Sequence, residues 1–88
     1  MEPQRLWMLL NELAAQLGVE VRLENLGEEE GCQVSGGLCR LGDRLVAFVD
    51  RGLRPLGRAR QLGGALMGLD LEGVYLRPAL REYLSELH

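Results

Sequence analysis

Residues 45–49 read Leu-Val-Ala-Phe-Val, apolar at every position of an extended chain. Successive side chains of a strand point to opposite faces, so such a run belongs in the middle of a sheet covered on both sides. Helices or a second subunit must supply that cover. With 88 residues in all, the chain has material for one small core, because a domain of this size buries only about 60–65 % of its unfolded surface. Dense packing or a partner subunit then has to make up the stability.

The elements around that strand follow from period and punctuation. Pro3 stands at a first helical position, and Leu6, Leu9, Leu10, Leu13 and Leu17 recur at three- and four-residue steps. This predicts an amphipathic helix over 4–17, stopped by Gly18. From Val19 the period becomes two: Val19, Val21 and Leu23 alternate with Glu20, Arg22 and Glu24, which predicts a strand over 19–24 with one wet face. The like charges of Glu28-Glu29-Glu30, followed by Gly31, make an exposed connection. Extended character resumes over 32–41, where Gly36-Gly37 marks a bulge or a close backbone approach. Gly42-Asp43 has the composition of a two-residue hairpin turn into a strand over 44–50. That turn sets Cys39 opposite Val46 and Gly37 opposite Phe48, whose ring would cover the bare glycine.

Pro55 opens a second amphipathic helix over 56–69, with Leu56, Ala59, Leu62, Leu66 and Leu69 in register. Its glycines, Gly57, Gly63, Gly64 and Gly68, each cost roughly 0.5–1 kcal/mol against alanine. They indicate a very close helix contact or a helix held in place by its surroundings. Asp70-Leu71-Glu72-Gly73 breaks it, Val74-Tyr75-Leu76 reads as a short extended piece, and Pro78 starts a last helix over 78–87. The expected architecture is one α+β domain over 1–88: an N-terminal helix, a three-stranded antiparallel meander and two C-terminal helices.

Catalysis has little to draw on here. The single histidine is His88, Thr is absent, and neither Ser35 nor Ser85 has a positioned base, so a hydrolytic triad is not expected. Cys32 and Cys39 are the only cysteines, too few for a metal site and wrongly spaced for a C-x-x-C motif. On one straight strand they would lie about 23 Å apart, beyond the roughly 7 Å that a disulfide tolerates. Only a turn at Gly36-Gly37 brings them together, so the expectation is two buried thiols in a reducing compartment. Asp70 and Glu72 are ordinary helix-end acids, and no catalytic residue, metal ligand or cofactor is expected.

All ten basic residues are Arg, and Lys, Ile and Thr are missing, a pattern expected of a GC-biased bacterial genome that would also suit a heat-adapted one. The net charge is −3, yet the block 40–60 sets six arginines (Arg40, Arg44, Arg51, Arg54, Arg58 and Arg60) against Asp43 and Asp50. Arg51, Arg54, Arg58 and Arg60 are therefore candidate anion contacts, through which nucleic acid or phosphate would bind. The acidic total and the shortage of aromatics argue against that partner. Trp7 and Met8 widen the apolar stripe of the first helix beside Leu10, and these three residues are the candidate contact for a partner helix. No apolar stretch approaches the roughly 20 residues that span a bilayer, so no membrane partner is expected and the reading is cytoplasmic.

The order of helix, three short strands and a glycine- and alanine-bearing helix, with the strand-loop-helix of residues 45–69, resembles the core of minimal zincin-type metallopeptidases. Where that family carries H-E-x-x-H, this chain reads Gly64-Ala65-Leu66-Met67-Gly68. The resemblance therefore implies an arrangement of elements and neither zinc nor peptidase chemistry. The segments Gly37-Leu38-Cys39-Arg40, the strand to Asp50, and Asp70 to Tyr75 through Arg81-Glu82 are also similar to a small uncharacterised bacterial family, which implies no activity. The function expected is that of a non-catalytic interaction domain, self-associating or binding another protein, with nucleic-acid or phosphate binding through Arg40–Arg60 as the alternative.

Overall fold

Proline fixes φ near its helical value and has no N–H to leave orphaned in a first turn. The three helices among the described residues each begin on one: α1 (Pro3–Gln16), α2 (Pro55–Leu66) and α3 (Pro78–Ser85). The computed structural model describes residues 1–25 and 37–87; Glu28-Glu29-Glu30, Cys32 and the first half of the expected 32–41 strand lie outside them. The strands are β1 (Val19–Glu24), β2 (Leu38–Leu41) and β3 (Arg44–Asp50). The chain is thus an α+β domain with an N-terminal helix, a three-stranded sheet and two later helices.

The sheet order is β1-β3-β2. β2 and β3 form the expected antiparallel hairpin, with Cys39 opposite Val46 and Leu41 opposite Arg44. Gly42 has φ +66 and Asp43 has no positive φ, the pattern of a two-residue turn with glycine first. The expected meander is corrected, however, because β1 pairs with β3, and it does so in parallel, from Val19↔Leu45 to Glu24↔Asp50. A meander would have put β2, with its exposed Arg40 and Leu41, in the centre and left apolar β3 at an edge. The mixed order gives the centre to the strand whose two faces are both apolar.

One face of the sheet carries the helices. Val19, Ala47 and Val49 share a core with Leu6, Leu9, Leu10, Leu13 and Ala14 of α1, Ala59, Leu62, Ala65 and Leu66 of α2, and Leu80 and Leu84 of α3. Val46 and Cys39, one residue out of phase with that set, are buried on the opposite face. α2 stops earlier than expected, at Leu66, and the N–H of Met67 closes its last turn on the Gly63 carbonyl. Residues 74–76 join no strand. At Gly63 a Cβ would stand 2.7 Å from Cδ1 of Leu87, just past α3, and 3.4 Å from Cδ2 of Leu84 within it. These are side-chain ends from the C-terminal segment and not the backbone of a closely packed helix, and Gly64, one position on, has open space around it.

Candidate functional site

Hydrogen-bond parity decides what β1 shows to solvent. The N–H of Arg51 donates to the carbonyl of Glu24 at 2.8 Å, one step beyond the Glu24↔Asp50 pair. In a parallel ladder alternate residues turn both backbone groups toward the neighbour. Glu20, Arg22 and Glu24 therefore face β3, and Val19, Val21 and Leu23 turn N–H and C=O outward. Two further bonds agree with this phase. The outward carbonyl of Leu23 accepts from Nη2 of Arg51 at 3.1 Å. The N–H of Asp50, on the side of β3 where β2 has already ended, donates to Oε1 of Gln61 at 2.7 Å. Among the described residues β1 pairs with β3 alone, and its outer edge has no ladder partner there.

The side chains above that edge alternate in sign on the face away from the helices. Nε of Arg22 donates to Oε2 of Glu20 at 2.7 Å, and Nη1 of Arg44 stands 3.4 Å from Oε1 of the same carboxylate. The hydrogen bond from Arg22 is the main reason that the Glu20 carboxyl lies below its ordinary range, and the same bond raises Arg22. Both side chains are more than a third exposed.

The residues singled out on α1 separate by depth. Leu10 is fully buried in the core, Trp7 is partly buried against it, and Met8 is 51 % exposed. Trp7 and Met8 are thus the two of the three that reach the surface. Asn11, one turn after Trp7, donates from Nδ2 to the Trp7 carbonyl at 2.8 Å.

The four arginines do not act as one bare cationic face. Arg58 donates from Nε to the Leu53 carbonyl at 2.9 Å and from Nη2 to the Arg51 carbonyl at 2.8 Å, and Arg51 holds Leu23. These two guanidinium groups tie the turn after β3 to the sheet and to α2. Arg54 precedes Pro55 as the exposed N-cap of α2, and Arg60 is exposed farther along the helix. The ion pairs among the described residues are those of Glu20, so none joins these four arginines to a carboxylate. Their pairing with Glu28, Glu29 or Glu30 lies outside the described residues.

Asp70 and Glu72 form a local turn, the Glu72 N–H donating to Oδ1 of Asp70 at 3.0 Å. Among the described residues no group of three or more His, Cys, Asp or Glu is placed to hold a metal. A cleft between α1 and residues 75–80 has a volume of about 100 Å³, small beside the roughly 300 Å³ where ligand pockets begin. Cys39 is buried, as expected, but it is disulfide-bonded and not a thiol. The expectation of a free thiol therefore fails at Cys39; Gly37, where a turn was the one route to a disulfide, takes φ +79 immediately before β2.

Comparison with protein-family models, with curated proteins and with solved structures finds no match. Among the described residues no helix is long and apolar enough to cross a membrane. The alternation of Val19-Glu20-Val21-Arg22-Leu23-Glu24 was legible as a strand with a wet face. Its position at the border of the sheet was not, because that depends on which strand β3 chooses as its second neighbour.

Proposed function

We propose that this domain works by contact and not by catalysis, as a self-associating protein-interaction module of the cytoplasm. The observation that carries the reading is the border strand β1, whose outward N–H and C=O groups lack a ladder partner among the described residues. Such an edge is a template for another chain unless it is blunted or covered. Met8 at 51 % exposure beside half-buried Trp7 adds an apolar neighbour on the helix that packs over the same strand. A domain of this size also gains stability by closing its sheet against a second subunit. A disulfide at Cys39 fits a cytoplasmic setting in heat-adapted organisms, where intracellular disulfides persist.

The test is the solution mass, by light scattering behind a sizing column at low and high salt. A dimer that persists at high salt supports the reading, since ladder bonds and apolar contact are little screened. A monomer at every concentration and salt overturns it.

A further inference from the structure

We infer that the partner seated on β1 is a second copy of this chain, paired antiparallel about a two-fold axis through Val21. The inference rests on the self-association reading and adds its register. It starts from parity: Val19, Val21 and Leu23 point their backbone groups outward, so only a neighbour that offers its own odd-numbered residues completes the ladder. A two-fold axis makes two copies of one strand run antiparallel and presents the same patch on both sides. With the axis at Val21, Val21 faces Val21, Val19 faces Leu23, and Leu23 faces Val19, each as a hydrogen-bonded pair, the Val19 N–H of one copy taking the place of Nη2 of Arg51 at the Leu23 carbonyl of the other.

Charge then selects this register over its neighbours. With the axis at Val21, Glu20 of each copy stands opposite Arg22 of the other, in the close non-hydrogen-bonded pairing. Moving the axis one residue forward, to Arg22, sets Arg22 against Arg22 and Glu20 against Glu24. Moving it one residue back sets Glu20 against Glu20. Both shifts place like charges directly opposite, which is destabilising in a sheet. Of these three registers, the one about Val21 sets opposite charges across the axis; an axis at Leu23 would also oppose Arg22 and Glu24, but it overlaps β1 over residues 22–24 only, against 19–23 for the axis at Val21. The bond from Arg22 to Glu20 within one strand, at 2.7 Å, places both side chains on the helix-free face, where a pair across the axis would exchange with it.

The product is a continuous six-stranded sheet in which β1 is no longer a border. It brings the two α1 helices to the same side of the joined sheet, because α1 packs against β1 within each copy. On the helix-free face the side-chain pairs across the axis are charged and exposed, so there the charges supply the register, while the backbone ladder and the Val21–Val21 and Val19–Leu23 pairs on the helix face supply the attraction.

Two single variants and their mixture test this. Glu20→Arg leaves only positive charge at the two positions, and Arg22→Glu leaves only negative charge. Sedimentation equilibrium is expected to show that each variant alone self-associates about tenfold or more weakly than the parent, from two like-charge contacts per dimer. The equimolar mixture is expected to recover association, because every cross-strand pair is again of opposite sign. Circular dichroism of each variant shows that its fold is kept; should one fail to fold, the other alone still reads the loss. A dimer that neither variant weakens overturns this inference and leaves self-association to another surface, whereas a monomeric parent overturns both. Val21→Pro gives a check independent of charge, since it removes an outward N–H and no bond to β3. A folded Val21→Pro chain that still dimerises like the parent also overturns the inference.

Discussion

A Cβ on Gly37 would stand 2.8 Å from the main-chain oxygen of Phe48. What faces this glycine is the backbone of the central strand, where the sequence led us to expect the Phe48 ring. The position is doubly committed to glycine, because its φ of +79 is also strained for any residue with a side chain. Gly37→Ala is expected to destabilise the fold by about 2–3 kcal/mol, the left-handed cost plus a clash that only a backbone shift relieves. Urea unfolding with an unchanged slope measures it, and a loss below about 0.5 kcal/mol would contradict the close approach.

Gly63 and Gly64 are neighbours in α2 with opposite surroundings. At Gly64 a Cβ meets nothing within 4 Å, so Gly64→Ala is expected to stabilise by about 0.5–1 kcal/mol through helix propensity. At Gly63 the same methyl would stand 2.7 Å from Cδ1 of Leu87, so Gly63→Ala is expected to fall short of that gain. Thermal melts of the two variants side by side decide it, and equal gains at both sites would refute the α2–α3 contact.

The hydroxyl of Tyr83 is buried without a hydrogen-bond partner among the described residues, and burial raises its pKa. An unpaired buried hydroxyl costs roughly 1–3 kcal/mol. Tyr83→Phe is therefore expected to leave stability unchanged or to raise it, by up to about 1 kcal/mol. A clear loss of stability in this variant would show that the hydroxyl has a partner.

Much of this was legible in the residues. The leucine stripe of α1, the three prolines and the turn at Gly42-Asp43 are local signals, and local signals survive into the fold because helix and hairpin are made from near neighbours. The apolar run Leu45 to Val49 announced a central strand, and it is one. The meander failed although that same clue argued against it: a strand with two dry faces needs a neighbour on each side, and sequential pairing gave it only β2. The parallel partner β1 comes from the far side of a long connection, and no local pattern records that choice. At the surface, Arg51 and Arg58 looked like free cations in the sequence, since nothing local shows that they hold the carbonyls of Leu23, Leu53 and Arg51.

The carboxyl of Glu20 lies below its ordinary value of 4.5 chiefly because Arg22 hydrogen-bonds it. A depressed folded-state value means that the group favours the folded form above the unfolded value, and that this contribution is lost as pH falls through the lowered one. Carbon-detected NMR titration is expected to place Glu20 below the ordinary glutamate range, and Arg22→Ala to bring it back up. An unchanged midpoint in Arg22→Ala would show that another group, Arg44 first, holds the charge.

β3 acquires its two neighbours from very different distances along the chain. Leu41 meets Arg44 across a two-residue turn, whereas Val19 reaches Leu45 only after the whole of β2 has been laid down between them. Closing a short loop costs less entropy than closing a long one. The hairpin is thus expected to form early in folding and β1 to dock late. The strand expected to arrive last is also the border strand of the sheet among the described residues, so in the proposed dimer the completion of each chain and its meeting with another would fall on the same few residues.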